Sequence, residues 1–203
     1  QAPRDAADFE QSGAAFGQFQ MQLSDIDASL LGETIPHFHD TPRRFQALHA
    51  AIERDALGRA AGVQREIDFA LAREARAAGL VDALAKGEIP LRVTHNDTKL
   101  NNVILDAATM EPLCVIDLDT VMPGAAAYDF GDSIRFGANT AAEDECDLSL
   151  VSLSLPLFEA YARGFLGACG AHLTEAEKQS LPLGSWMMTM ECGARFLTDY
   201  LDG

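Results

Sequence analysis

The sequence predicts an α+β fold that is mainly helical and carries one short β-hairpin. Three observations predict it. Apolar residues recur at helical spacing through the first half of the chain and again between residues 143 and 200. Two short β-like runs, Val103 to Leu105 and Leu113 to Ile116, enclose the turn residues Asp106 to Pro112, which is a hairpin signature. Polar residues crowd the outer ends of that hairpin: His95, Asp97, Lys99 and Asn102 before its first strand, Asp117 and Asp119 after its second.

Taken in order, Phe9, Phe16, Phe19 and Leu23 place an amphipathic helix over residues 4–23. Ile35 to Pro42 breaks into a loop, and Pro42 starts a helix to about Leu57 with Phe45, Leu48 and Ile52 on its apolar face. A further helix is predicted over 63–78 with Ile67, Phe69 and Leu71, then a helical turn over 80–86. Leu91 to Thr94 reads as a strand leading into His95, and Met122-Pro-Gly124 as a turn after the hairpin. Asp129 is expected either to cap a helix beginning near Gly131 or to support the neighbouring polar residues from behind. The acidic run from Glu143 suits the start of a long helix reaching about Phe165, which Pro156 should kink or divide. Thr174-Glu-Ala-Glu177 is a capping-box pattern, and a last helix over 183–200 carries Trp186, Met187, Met190 and Phe196, with Arg195 as its polar exception.

A hairpin brings its two outer ends together. Asp97 and Asn102 are therefore expected to face Asp117 across a small gap, where the three groups suit a divalent cation and a proton leaving a hydroxyl. His37-x-His39-Asp40 invites a zinc reading, but a closed zinc site needs about four ligands and no second cluster is evident. The plainer reading has these histidines bonding the backbone and orienting the next helix.

Counted from His95, the Asp stands two residues on, the Lys four and the Asn seven. This resembles the catalytic loop of eukaryotic-type kinases, His-Arg-Asp-x-x-x-x-Asn, and more closely that of the aminoglycoside phosphotransferase and choline kinase superfamily, where a hairpin ending in Ile-Asp follows, as Ile116-Asp117 does. The strings His-Asn-Asp-Thr-Lys-Leu-Asn-Asn, Val-Ile-Asp-Leu-Asp-Thr-Val-Met-Pro-Gly and Asp-Phe-Gly-Asp-Ser-Ile-Arg-Phe-Gly resemble the N-acetylhexosamine 1-kinases of that group. The resemblance implies a protein-kinase-like C-terminal lobe over 1–203, with ATP and Mg²⁺ as cofactors and a sugar or amino-alcohol acceptor. Asp97 is then the base that accepts the acceptor proton, Lys99 a γ-phosphate contact, and Asn102 and Asp117 the metal ligands. Arg195 falls on the sugar side, Asp119 either contacts the sugar or supports the site from behind, the loop with His37 and His39 lies near the acceptor, and His95 and Asp129 are structural. Asp129-Phe-Gly131 matches the metal-binding Asp-Phe-Gly of kinases in letters alone, because that place in the chain belongs to Asp117. Neither a glycine-rich loop nor a strand Lys precedes His95, so the N-terminal lobe is read as missing and the fragment by itself as inactive. Alternatives are an aminoglycoside or choline-type kinase, a kinase-like binding module without catalysis, and a metal-dependent hydrolase built on His37 and His39.

The 203 residues suffice for one domain, and 48% hydrophobic content argues against disorder. A formal net charge of -16 makes nucleic acid and anionic membranes poor partners, while a nucleotide is tolerated if Mg²⁺ bridges its phosphates. Cys114, Cys146, Cys169 and Cys192 form no C-x-x-C pair; Cys114 falls in the hairpin and the rest in helix-like segments, so all are read as reduced thiols of a cytoplasmic protein. No run of 18 apolar residues and no signal-peptide pattern is present.

Overall fold

The computed structural model describes residues 5–142 and 145–203. Helix α1 (Ala6–Gln22) starts where the Asp5 carboxylate accepts the Asp8 N–H at 2.9 Å, and it buries Phe9 and Phe16. Its partner is α7 (Leu155–Cys169). The two main chains approach closely at Gly13 and Gly164, where an added Cβ would overlap the opposing backbone. Phe9, Phe130, Tyr161 and Phe165 fill the space beside this crossing, with ring centroids 4.9–6.0 Å apart.

Helix α2 (Thr41–Arg54) is capped by Asp40 and has Pro42 in its first turn. It stops short of Leu57 because Asp55 takes a left-handed conformation, and the Asp55 carboxylate then caps the Arg59 and Ala60 N–H groups. The single helix expected over 63–78 is broken into α3 (Gln64–Leu71) and α4 (Glu74–Ala77), followed by α5 (Gly79–Ala85). At the break, the Arg73 guanidinium bonds the Phe69 carbonyl at 2.9 Å and lies over the Phe69 ring. Phe69 is thereby an outer residue under a cation, not part of the buried face.

Strand β1 (Arg92–Thr94) pairs antiparallel with β4 (Met122–Gly124), in the register Val93 opposite Pro123. The stretch read as a turn is thus a strand; a two-stranded pair leaves an outer edge on which a missing proline N–H is tolerated. Strands β2 (Val103–Leu105) and β3 (Pro112–Val115) form the hairpin, one residue earlier on its second side than expected. Asp106 closes its turn by accepting the Ala108 and Thr109 N–H groups at 2.8 Å each.

Helix α6 (Ala126–Gly137) begins five residues before Gly131, so Asp129 sits inside its first turn and does not cap it. The long helix expected from 143 is absent among the described residues. Residues 148–150 form a single 3₁₀ turn, and the chain then runs extended, with Thr140 N–H bonded to Ser152 O and Ser154 N–H to Ala138 O. Ser154 caps α7 and Pro156 occupies its first turn, so this proline starts a helix instead of kinking one. Leu148, Leu150 and Leu153 are exposed, Cys146 lies outside any helix, and Glu143 and Asp144 lie outside the described residues.

Helix α8 (Glu175–Asp202) opens on the Thr174–Glu177 capping box and runs 28 residues without a break, straight through Pro182. Two features hold it across the proline. Arg92 Nη2 donates to Glu177 Oε2 at 2.9 Å and to the His172 carbonyl at 2.8 Å, which ties β1 to the helix start. Further on, Gly184 packs against Ala127 and Gly131 of α6 so tightly that a Cβ on Gly184 would overlap the Ala127 carbonyl. One core lies among α1, α6, α7 and the first half of α8; a second, with Phe45, Leu48, Met190 and Leu201, lies between α2–α4 and its second half. No described helix is long and apolar enough to cross a membrane.

This packing makes opposite predictions for two glycines of α8. Gly184→Ala should destabilise the chain by roughly 1–3 kcal/mol through overpacking. Gly193→Ala, exposed and with open space around it, should stabilise it by about 0.5–1 kcal/mol. Urea midpoints at unchanged slope are the measurement.

Candidate active site

The loop between β1 and β2 is held from below by the first turns of α6. Asp129 is fully buried, and its two oxygens accept the His95 N–H at 3.0 Å and the Asn96 N–H at 2.8 Å. Gln20 Nε2 donates to the same carboxylate at 2.6 Å. Burial pushes the Asp129 carboxyl above its ordinary value; the two amides, His95 and Gln20 counter this only in part. One turn on, Asp132 accepts the Thr98 N–H at 3.0 Å and Ser133 Oγ donates to the Thr98 carbonyl at 2.6 Å. The loop's inward backbone groups therefore have partners on one helix face.

His95 joins the loop to the far side of the hairpin. Its buried ring donates from Nε2 to the Ile116 carbonyl at 2.9 Å, accepts the Asp97 N–H on Nδ1 at 3.3 Å, and meets the edges of Phe16 and Phe19. Asn96 adopts a left-handed conformation (φ 66°), which asparagine tolerates better than most residues. Its amide donates to the Thr120 carbonyl at 3.0 Å.

These constraints leave Asp97 half-buried at the mouth of a pocket. Lys99 Nζ lies 2.9 Å from its carboxylate, and the buried Asn102 donates through Nδ2 to the Asp97 carbonyl at 2.8 Å and to its carboxylate at 3.3 Å. Asp117 is brought alongside through the main chain, the Ile116 N–H bonding the Asn102 carbonyl at 2.9 Å. Asp117 is left-handed (φ 65°), and both it and Asp119 are exposed. So Asp97, Lys99 and Asn102 touch one another, whereas Asp117 joins them through backbone and Asp119 lies further out.

The pocket measures about 140 Å³, and its walls include His39, Arg44, Asp97, Lys99, Glu191 and Arg195. A larger hollow of about 490 Å³ adjoins it through Arg135 and Cys192, with Phe136 and Phe196 on its sides. Arg195 reaches the pocket from α8 and lies over the Phe196 ring. His37 and His39 do not converge: His37 pairs with Asp40 on the surface, while His39 turns inward to Glu191 and the Asn96 carbonyl. Among the described residues no three of His, Cys, Asp and Glu are grouped to hold a metal.

Sequence reasoning missed Gln20, Asn96, Asp132 and Glu191. Asp132 stands three residues after Asp129 and Glu191 four before Arg195, so helical spacing offered a signal for both. Nothing local marks Gln20, whose partner is 109 residues away.

Asp129→Asn should lower stability by roughly 2–4 kcal/mol, because an amide offers one acceptor to two buried N–H donors and turns an NH₂ toward the other. The loss should appear in denaturant melts, together with faster amide exchange at His95 and Asn96.

A family model described as the phosphotransferase enzyme family matches residues 1–164. The match takes in the loop, the hairpin, Asp97 to Asp119 and all of α6, and it extends over well more than half of the sequence. The chain belongs to the phosphotransferase enzyme family, whose members are kinase-type transferases.

Proposed function

We propose that residues 1–203 form the catalytic, acceptor-binding lobe of an ATP- and Mg²⁺-dependent small-molecule kinase, with a separate N-terminal lobe covering the nucleotide phosphates. The proposed acceptor is the anomeric hydroxyl of an N-acetylhexosamine, giving the sugar 1-phosphate. The observation that carries the reading is Asp97 at the pocket mouth, its backbone fixed from both sides and its carboxylate within reach of Lys99 and Asn102.

Phosphoryl transfer asks the protein mainly to position its reactants and balance charge. The acceptor hydroxyl would donate a hydrogen bond to Asp97, and its proton would pass to that carboxylate as the new O–P bond forms and the bond from the γ-phosphorus to the β,γ-bridging oxygen breaks, with ADP as the leaving group. Lys99 supplies positive charge beside the base. The donor set fits a hard cation: Asn102 spends Nδ2 on Asp97 and keeps Oδ1 as a neutral acceptor, and Asp117 adds an exposed carboxylate on the residue after Ile116, whose N–H bonds the Asn102 carbonyl. Mg²⁺ is ordinarily held by one or two such groups together with substrate phosphates. When bound, the ion would neutralise phosphate charge.

The pocket walls favour a sugar over an aminoglycoside or choline. Arg44, Lys99, Arg135 and Arg195 line it against the carboxylates of Asp97, Asp132 and Glu191, so a polycationic acceptor would meet four cations at close range. Arg195 and Phe196 are the groups proposed to contact the acetamido sugar; Asp119, expected on the sugar side, is not among the residues lining the pocket.

In the complete enzyme, Asp97→Asn should cut turnover by roughly 10²–10⁴-fold while leaving the KM for ATP nearly unchanged. Arg195→Ala should do the reverse, raising the sugar KM with a smaller change in kcat. Steady-state kinetics over a sugar series decides both; near-normal turnover by folded Asp97→Asn would remove the base assignment.

Asp117→Asn should raise the Mg²⁺ concentration needed for half-maximal rate and leave sugar affinity in place. A Mg²⁺ titration of rate beside calorimetric sugar binding separates the two, and a collapse of sugar binding alone would assign Asp117 to the acceptor.

A further inference from the structure

His39 is distant in sequence from every group so far assigned a role, yet it touches the peptide bond that carries the base. Its side chain is only 8% exposed and packs between Phe38 and Tyr128. Nδ1 lies 3.0 Å from Glu191 Oε1, and Nε2 lies 3.3 Å from the Asn96 carbonyl oxygen. Glu191 is itself buried and accepts the Thr41 hydroxyl on its other oxygen at 3.1 Å.

The Asn96 carbonyl and the Asp97 N–H belong to one planar peptide unit. His39 meets the carbonyl end of that unit, and His95 accepts the N–H end at 3.3 Å. Two histidines therefore grip one peptide from opposite sides, immediately before the Asp97 side chain. The bonds also fix a proton count. A carbonyl oxygen only accepts, so Nε2 must carry hydrogen. The contact to Glu191 then needs a second proton, on Nδ1 or on the carboxyl. Both bonds exist only while the His39–Glu191 pair holds one proton more than a neutral ring beside a carboxylate.

We propose that His39 is a positioning residue for Asp97: backed by Glu191, it holds the Asn96–Asp97 peptide against His95 and aims the carboxylate, and it does so only while the pair keeps that proton. The inference rests on the reading of Asp97 as the base. Charges from each packed element bear on the pair. Asp132 of α6 and Asp97 of the loop join Glu191 of α8 in favouring the proton. Arg44 of α2, Arg135 of α6, Arg195 of α8 and Lys99 oppose it, and Tyr128 of α6 stays neutral because burial pushes its hydroxyl far up. Burial pushes the His39 imidazolium down, but the Glu191 hydrogen bond and charge, then Asp132 and the Asn96 carbonyl, outweigh it, leaving His39 above its ordinary value. The grip is thus complete below the ordinary histidine range and is lost as pH rises through the elevated value.

The test has a binding-independent arm and a kinetic arm. Nitrogen-15 NMR of the chain across a pH titration should show both His39 ring nitrogens protonated at the acid end, with a midpoint above the model-peptide value of about 6.5. The Asp97 amide should titrate with that same midpoint. Glu191→Gln should lower the midpoint, and His39→Gln should abolish the Asp97 response. A folded chain whose His39–Glu191 pair has already lost that proton at or below about pH 6.5, or an Asp97 amide indifferent to its loss, overturns the proposal. In the complete enzyme at saturating substrates, His39→Gln should reduce kcat by roughly 10–100-fold, the scale of a small misplacement of a reacting group, and flatten the alkaline fall in kcat with the ATP KM unchanged. Equal kcat and an unaltered pH profile overturn the positioning role even where the NMR coupling holds. Absence of phosphoryl transfer altogether would defeat the kinase reading, while the NMR arm still decides whether the clamp exists.

Discussion

Two consecutive main-chain N–H groups, at His95 and Asn96, point at one buried carboxylate, and the geometry of the site follows from that pair of bonds. A loop entering the interior brings donors that must be paired or lose about 1–3 kcal/mol each. Asp129 pairs both, and in return the two amides and Gln20 offset part of the cost of burying its charge. The price is that the loop has little freedom: with Thr98 tied to Asp132 and Ser133, His95 to Ile116 and Asn96 to Thr120, Asp97 is left half-buried between fixed neighbours. On the proposed reading, a carboxylate so placed would act without reorganising its support, which is what preorganisation means energetically.

That arrangement depends in turn on how closely α6 and α8 approach. Helix α6 carries the loop's anchors on one face and Arg135 on the pocket wall; α8 carries Glu191 and Arg195. Helices with ordinary side chains at the crossing sit 8–10 Å apart. Gly131 against Gly184 removes the side-chain layer there, so groups on the two helices can share one small pocket. The same α8 spans both hydrophobic cores, and each core therefore restrains the pocket from one end of the helix.

The parts legible in the sequence are those whose cause is local. The hairpin, the Asp40–Pro42 helix start and the Thr174–Glu177 capping box are set by residues a few positions apart, and they were placed within a residue or two. Two prolines were misread, and the place of a third, Pro182, was not read at all. A proline's meaning depends on what lies beside it: Pro123 finds a strand edge opposite Val93, Pro156 finds Ser154 as a cap, and Pro182 is carried over by Arg92 on one side and Gly184 on the other. Val93 and Arg92 lie 30 and 90 residues from the prolines they serve, whereas Ser154, two residues before Pro156, was a local signal that went unused. For the candidate site, the cluster around Asp97 was visible in the sequence together with two of its supports, His95 and Asp129, but Gln20 and Glu191 were not. Gln20 lies 109 residues from Asp129, and Glu191 lies 152 from His39. Polar residues at such separations look like ordinary solvated positions until the fold buries them.

The charge distribution adds a constraint of its own. The chain carries a formal charge of -16, yet four cationic side chains meet at one pocket of about 140 Å³. Surface acids more than a Debye length away, about 8 Å at physiological ionic strength, are largely screened from a ligand seated there. Within that range the ligand meets Arg44, Lys99, Arg135 and Arg195 against three carboxylates, two of which are already engaged, Asp132 by Arg135 and Glu191 by His39. The third, Asp97, is bound to Lys99. On the proposed reading, an incoming phosphoryl group would meet Lys99 next to the base that receives the acceptor's proton. The long-range field would then contribute solubility and slow nonspecific encounters with polyanions, while recognition is set by the few charges that the α6–α8 crossing brings to the loop.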